Sequence, residues 1–144
     1  MRSLPDCLFM LTVTKEDYLR AAYVLEEKKS LATPTELAKY LSVSKNTVSQ
    51  MLLRLHKERL VKYEKYSRSI ELTKKGRGIA IRLTYRHRLI EKFLVDVLER
   101  KPEKVHEEAN RLEHAFSDES IEKIRQLLGE PSLDPHGRTI PKIV

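Results

Sequence analysis

Residues 33–73, TPTELAKYLSVSKNTVSQMLLRLHKERLVKYEKYSRSIELT, decide the fold. Thr33 can cap a helix N-terminus, Pro34 stands at the first helical position where its missing N–H costs nothing, and Glu36 completes a capping box. Leu37, Ala38 and Leu41 mark one face of that helix. Ser42-Val43-Ser44 makes a tight turn, and Ser44 caps a second helix whose inward face is Val48, Met51, Leu52 and Leu55. Ser44, Lys45, Asn46, Thr47, Ser49 and Gln50 are left at the front of this second helix. Asn and Gln can bond an adenine edge bidentately, and Lys can reach guanine or phosphate, so this is the residue set of a major-groove reader. The segment 61–66 alternates apolar and polar, Ser67-Arg68 can turn, and 69–73 alternates back, which reads as a hairpin. A helix-turn-helix followed by a hairpin predicts a winged helix. The plainer alternative is a polar face on a small helical domain that contacts only protein.

Outside this stretch the composition sets bounds. The chain has 144 residues, 40% of them hydrophobic, with only 4 Gly and 6 Pro, which argues against disorder and leaves room for one domain or two small ones. A net charge of +7 suits a polyanionic partner. Ten Lys or Arg face three Glu between Ser44 and Arg77, so the excess sits on the recognition helix and wing, where Lys62, Lys65 and Arg68 are the candidate phosphate contacts. The single Cys7 cannot form an internal disulfide, and the apolar run 8–13 is too short for a signal or a membrane span. A cytoplasmic chain without membrane attachment is expected.

Taken in order, the first dozen residues carry no usable pattern, so a disordered arm and a segment packed on a partner are both open. Thr14-Lys15-Glu16-Asp17 has the form of a capping box opening an amphipathic helix to Lys29, and Ser30 to Ala32 form the link. Beyond the wing, a stripe of Ile79, Leu83, Ile90, Phe93, Leu94 and Val97 predicts one long helix over 74–100. Pro102 ends the connection, 103–116 form another helix, and Asp118 caps a last one to about Leu128. Gly129 stops that helix, and the tail from Pro131 is expected to be irregular. The expected organisation is therefore mostly α with a small β-wing: an arm, first helix and winged helix over 1–73, then a helical dimerisation and metal-binding region over 74–144. The long apolar stripes would be exposed in a monomer, which points to a homodimer and fits palindromic DNA half-sites; the plainer alternative is a compact monomeric bundle.

The third region carries His106, Asn110, Glu113 and His114 within about a third of a helical circumference, beside the apolar sector of Val105, Ala109, Leu112 and Phe116. On the long helix His87 and Glu91 are four apart and share a face. Imidazoles and carboxylates without thiolate suit Mn²⁺, Fe²⁺ or Zn²⁺. Read without a metal, these residues are surface salt bridges and helix-pairing charges.

Asp17-Tyr18-Leu19-Arg20, Thr47-Val48-Ser49-Gln50, Tyr85-Arg86-His87-Arg88-Leu89 and Glu113-His114 resemble the diphtheria-toxin-repressor family, including its manganese transport regulators, over about residues 14–126. The resemblance implies a dimeric repressor of metal-uptake genes with Mn²⁺ or Fe²⁺ as corepressor, and no room here for the SH3-like domain of longer members. It implies Asp17, Glu113 and His114 as primary ligands, with His87, Glu91 and His106 at the second, ancillary site of the iron-responsive members and His87 also a ligand in the manganese type. Two positions depart from it. Arg20 stands where the manganese type has an acid, and Asn110 stands where the family has Cys or Glu, so Asn110 can offer only a carbonyl oxygen. Asp17 in place of a thioether, and the loss of Cys at 110, favour a hard cation: Mn²⁺ ahead of Fe²⁺, with Zn²⁺ or Co²⁺ able to occupy the site in vitro. The competing readings are a winged-helix regulator with a non-metal effector or protein partner, and a metallohydrolase. The sequence holds no HExxH and no nucleophile–base pattern, so no enzyme is expected.

Overall fold

A computed structural model of the chain describes the backbone of residues 3–29 and 31–143, and the side chains of 13–28 and 31–143. Helix α1 covers Ser3–Lys29, α2 Pro34–Leu41 and α3 Lys45–Lys57; strands β1 (Val61–Lys62) and β2 (Glu71–Leu72) follow, then α4 (Lys74–Asp96), a short 3-10 turn at Pro102–Lys104, α5 (His106–Ala115) and α6 (Asp118–Leu127). The chain divides into two compact units, one up to Ile81 and one from Arg82, with the division falling inside α4.

The first unit is built as its sequence directs. The Thr33 hydroxyl accepts the Glu36 N–H at 3.1 Å, and the Ser44 hydroxyl accepts that of Thr47 at 3.1 Å. Leu19, Leu37, Val48, Leu52, Leu55 and Ile70 are almost completely buried around one core. At about 2 kcal/mol for each large apolar side chain, these residues do most to hold the unit together. Helix α3 ends with Arg59 in the left-handed region (φ 61). There the Arg59 N–H donates to His56 O at 3.0 Å and the Leu60 N–H to Leu55 O at 2.9 Å, the bond pair of a Schellman motif. A residue with a Cβ is strained in this conformation, so Arg59→Gly is expected to raise stability by about 0.5–1 kcal/mol in urea unfolding; a loss would mean that the arginine side chain offsets its own strain.

β1 and β2 pair antiparallel with Val61 opposite Leu72 and Lys62 opposite Glu71, and an isolated antiparallel bridge joins Ala32 to Ile70. The paired part of the wing is shorter than its alternation predicts. Its turn lies at Glu64–Ser67 rather than at Ser67-Arg68: the Ser67 N–H donates to Glu64 O at 2.9 Å with Tyr66 at φ 68. The chain leaves the ladder early because this turn comes before the expected one.

Four other boundaries differ from expectation. α1 starts at Ser3, so Thr14 lies inside a helix and is not its N-cap. Extending a helix already nucleated is easier than starting another, and Pro5 falls in the first turn, where no N–H is needed. Ser30, part of the expected link, lies outside the described residues. α4 stops at Asp96, where Glu99 takes φ 56 and the Arg100 N–H turns back to Leu94 O at 2.9 Å. The predicted helix over 103–116 is a 3-10 turn and then α5, and the cap of α6 is Ser117, whose hydroxyl accepts the Ser120 N–H at 3.1 Å. Asp118 is instead the first helical residue.

The second unit has its own core of Leu89, Ile90, Leu94, Val105, Ala109, Ile121 and Ile140. Residues 131–143 form no helix or strand beyond a bridge between Leu133 and Thr139, as expected, yet they are tied down. Ile140 is buried, and the Arg88 guanidinium donates to Thr139 O at 2.7 Å. Among the described residues no helix is long and apolar enough to cross a membrane.

Candidate metal centre and nucleic-acid interface

In the first unit Lys45, Asn46 and Gln50 are exposed at the front of α3, and Lys62, Lys65 and Arg68 are exposed on the wing. Three of the candidate readers have structural work as well. The Ser44 hydroxyl caps α3 and lies 2.8 Å from that of Thr47, while half-buried Ser49 lies 3.3 Å from the Tyr63 hydroxyl. His56 ties α3 to the wing, its Nδ1 accepting the Tyr63 N–H at 3.2 Å. Asp17 is half-buried on α1.

In the second unit α4 and α5 bring most of the predicted ligands together. The fourfold spacing of His87 and Glu91 puts both on one side of α4, with 2.9 Å between His87 Nε2 and Glu91 Oε1. His106, at the start of α5, places Nδ1 3.2 Å from His87 Nε2. On its other side His87 directs Nδ1 to Glu113 Oε2 at 2.6 Å, and His114 Nε2 lies 3.3 Å from Glu113 Oε1. Glu113 is fully buried, and the His87 and Glu91 side chains are each 4% exposed. Asn110 is half-buried on α5, one turn before His114. A neutral imidazole has only one N–H to donate, yet His87 faces a carboxylate from each nitrogen. A cation at Nε2 would resolve this, leaving Nδ1–H to Glu113 in the usual carboxylate–histidine–metal arrangement.

The tail adds two residues that sequence reasoning missed. Glu91, Asp134 and His136 form a second cluster whose ligand atoms all lie within 4.8 Å of one another, as do those of His87, Glu91 and His106. The Asp134 carboxylate accepts the N–H groups of His136 and Arg138 at 2.8 Å each through Oδ1. Asp134 Oδ2 and Glu91 Oε2 are buried and have no hydrogen-bond partner among the described residues. His136 lies 3.0 Å from Pro102 O through Nε2, and its Nδ1 faces Glu91 Oε2, 3.6 Å away. Buried carboxylate oxygens without donors are costly unless a cation takes their place, so the donor set fits a divalent metal. The signal was present as Asp134-Pro135-His136-Gly137, a turn sequence carrying two ligand types.

Burial alone would raise the Glu91 carboxyl. The hydrogen bond from His87 and the charges of His87, His136 and His106 outweigh it and hold the group below its ordinary value. Asp118, at the start of α6, is likewise held low by hydrogen bonding to Arg82 and by its charge, with Arg86 adding to both.

Comparison with known proteins gives the same two parts. Residues 10–68 match the N-terminal DNA binding domain of iron dependent repressors, and residues 73–142 match their metal binding and dimerisation domain. The iron-dependent repressor IdeR of Mycobacterium tuberculosis is 39% identical over 134 residues, which is 93% of this chain and 58% of IdeR. The HTH-type transcriptional regulator MntR of Bacillus velezensis is 38% identical over 119 residues, 83% of this chain and 82% of MntR. A manganese-dependent transcriptional repressor solved in complex with manganese superposes with a TM-score of 0.82 at 36% identity, over 89% of this chain and 58% of that one. The chain thus spans little more than half the length of IdeR and of that repressor, and most of the length of MntR. With both of its halves matched in order, the chain belongs to the iron-dependent repressor family, the diphtheria-toxin-repressor family that its motifs resemble.

Proposed function

We propose that this chain is a metal-dependent DNA-binding repressor that acts as a homodimer in the cytoplasm and controls metal-uptake genes, not an enzyme. The observation that carries the reading is the pair of buried, undonated carboxylate oxygens of Glu91 and Asp134 beside three imidazoles, in a chain whose other unit is a winged helix. In this reading the DNA-binding part covers 1–73 and the dimerisation and metal-binding part 74–144, although the two compact units divide later, after Ile81. A bound divalent cation supplies the positive charge that these acids lack. The ligands are oxygen and imidazole nitrogen, which suits Mn²⁺ and, after it, Fe²⁺; Zn²⁺ and Co²⁺ are compatible in vitro.

The residues divide the work. Glu91 and Asp134 provide charge, while His87, His106 and His136 provide nitrogen. Glu113 orients His87 and belongs with His114 and Asn110 to the primary set, to which Asp17 is assigned by family resemblance. If the conformers that hold the metal also present α3 and the wing to two half-sites, metal and DNA binding are reciprocally coupled. About 1–3 kcal/mol, or 5- to 150-fold in DNA affinity, is typical of such coupling.

The test is fluorescence anisotropy of a labelled duplex from upstream of the protein's own gene, after chelation and then with Mn²⁺, Fe²⁺ (anaerobically) or Zn²⁺ at fixed salt. Binding should strengthen with metal; equal binding with and without metal would remove the corepressor role. Glu113→Ala and His114→Ala should lose that response while staying folded. In the same assay Lys62→Ala and Arg68→Ala should weaken binding to every duplex and make the salt dependence shallower by about one unit of slope per lost contact. A sequence-selective loss would reassign them to base contacts. The rival, a regulator with an organic effector, is favoured by one feature: a groove of about 780 Å³ lined in part by Tyr85, Leu89, Arg125 and Ile140.

A further inference from the structure

Arg86 precedes His87 on α4 and is 5% exposed. Among the described contacts, its guanidinium donates to three acceptors at the corner between α5 and α6. Nε donates to Glu113 O at 2.7 Å, Nη2 donates to Phe116 O, and Nη1 donates to Asp118 Oδ1 at 2.9 Å. Glu113 O lies in the last turn of α5, where backbone carbonyls have no helical donor. One planar fork therefore closes the end of the helix that carries Glu113 and His114 and ties it to the start of α6.

The consequence lies in the pairing with the next residue. Arg86 holds Glu113 by its backbone carbonyl, and His87 holds it by its carboxylate at 2.6 Å. Two consecutive residues of α4 grip one residue of α5 at both ends, which removes its freedom to rotate or slide. We propose that Arg86 is a positioning residue for the cation site: it touches no metal, but it sets where the Glu113 carboxylate and the His114 ring stand. The proposal rests on the reading of Glu113 and His114 as ligands. Lysine cannot replace Arg86, because a single ammonium cannot span three acceptors in a plane.

The test uses the full chain, with Mn²⁺ binding followed by EPR through every class of site and Co²⁺ followed by its visible absorption spectrum. Arg86→Lys should fold cooperatively, bind Mn²⁺ about tenfold or more weakly at the Glu113/His114 site, and show a changed Co²⁺ spectrum. Residues that orient ligands characteristically have effects of about 10- to 100-fold. Wild-type affinity and spectrum in Arg86→Lys would overturn the proposal. If that variant does not fold, Asp118→Ala decides by the same readouts, because it removes the acceptor of one arm of the fork at an exposed position; there a weaker site with a changed spectrum supports the proposal and wild-type values overturn it. Glu113→Gln separates the two levels. If it loses Mn²⁺ while Arg86→Lys keeps it, only the positioning role falls. If Glu113→Gln also keeps it, the ligand reading itself has failed.

Discussion

Gly76→Ala is expected to cost the first unit about 3 kcal/mol, whereas Gly78→Ala, two residues on in the same helix, should gain about 0.5–1 kcal/mol. A Cβ on Gly76 would stand 1.9 Å from Leu60 O and 2.9 Å from Leu60 C. Both are backbone atoms, so no flexible side chain can yield. The carbonyl is also fixed in place: it accepts the Thr73 N–H at 3.1 Å, while the Thr73 hydroxyl donates to Arg59 O at 2.7 Å and accepts the Gly76 N–H at 3.1 Å. Gly76 is therefore where the first turn of α4 lies against the end of α3. A Cβ on Gly78 would meet nothing within 4 Å beyond its own helix among the described residues, and the residue is exposed, so only helix propensity acts. Urea unfolding of both variants checks the pair. Equal effects would mean that the α3–α4 contact is looser than its geometry, and would remove the steric argument.

Glu91→Ala is expected to weaken Mn²⁺ binding at the two clusters that share it by more than about 100-fold, beyond the range typical of residues that only orient a ligand, and to weaken the metal response of DNA binding. Glu91 is the one residue shared by both clusters of the second unit, so its loss takes charge from His87 and His106 and from Asp134 and His136 together. Asp134→Ala should spare the first cluster and cost less. Isothermal titration with Mn²⁺ distinguishes them, and a Glu91→Ala protein that still binds Mn²⁺ as the wild type does would show that neither cluster is the metal site. The metal-free protein also has a pH signature. The Glu91 carboxyl is held below its ordinary value of 4.5 in the folded state, so its contribution to stability is present above that value and is lost as pH falls through the folded one. Wild-type stability should therefore decline more steeply below about pH 4.5 than that of Glu91→Ala, as acid titration of thermal unfolding would show.

Much of this was legible in the order of residues because the signals are local. Thr33, Pro34 and Glu36, then Ser44, fix two helix starts by hydrogen bonds spanning three residues. The period of Leu37, Val48, Leu52 and Leu55 names the buried face, and the fourfold spacing of His87 and Glu91 forces their convergence. The local rules misled where a stronger neighbour competed. The cap-like Thr14 was absorbed into a helix already running from Ser3, and the wing turned at Tyr66 before reaching Ser67-Arg68.

Tertiary structure alone decided the rest, because it depends on contacts between residues far apart in the chain. No pattern shows that Asp134 and His136, in an irregular tail, come to Glu91, more than forty residues earlier. Nor does any pattern show that Arg86 reaches the end of α5, or that Gly76 lies against Leu60. By itself the sequence determined the elements, the winged helix and the chemistry of the donors. Which donors share a site followed only from packing, since a helical or turn period governs neighbours within a few residues and is silent about distant ones.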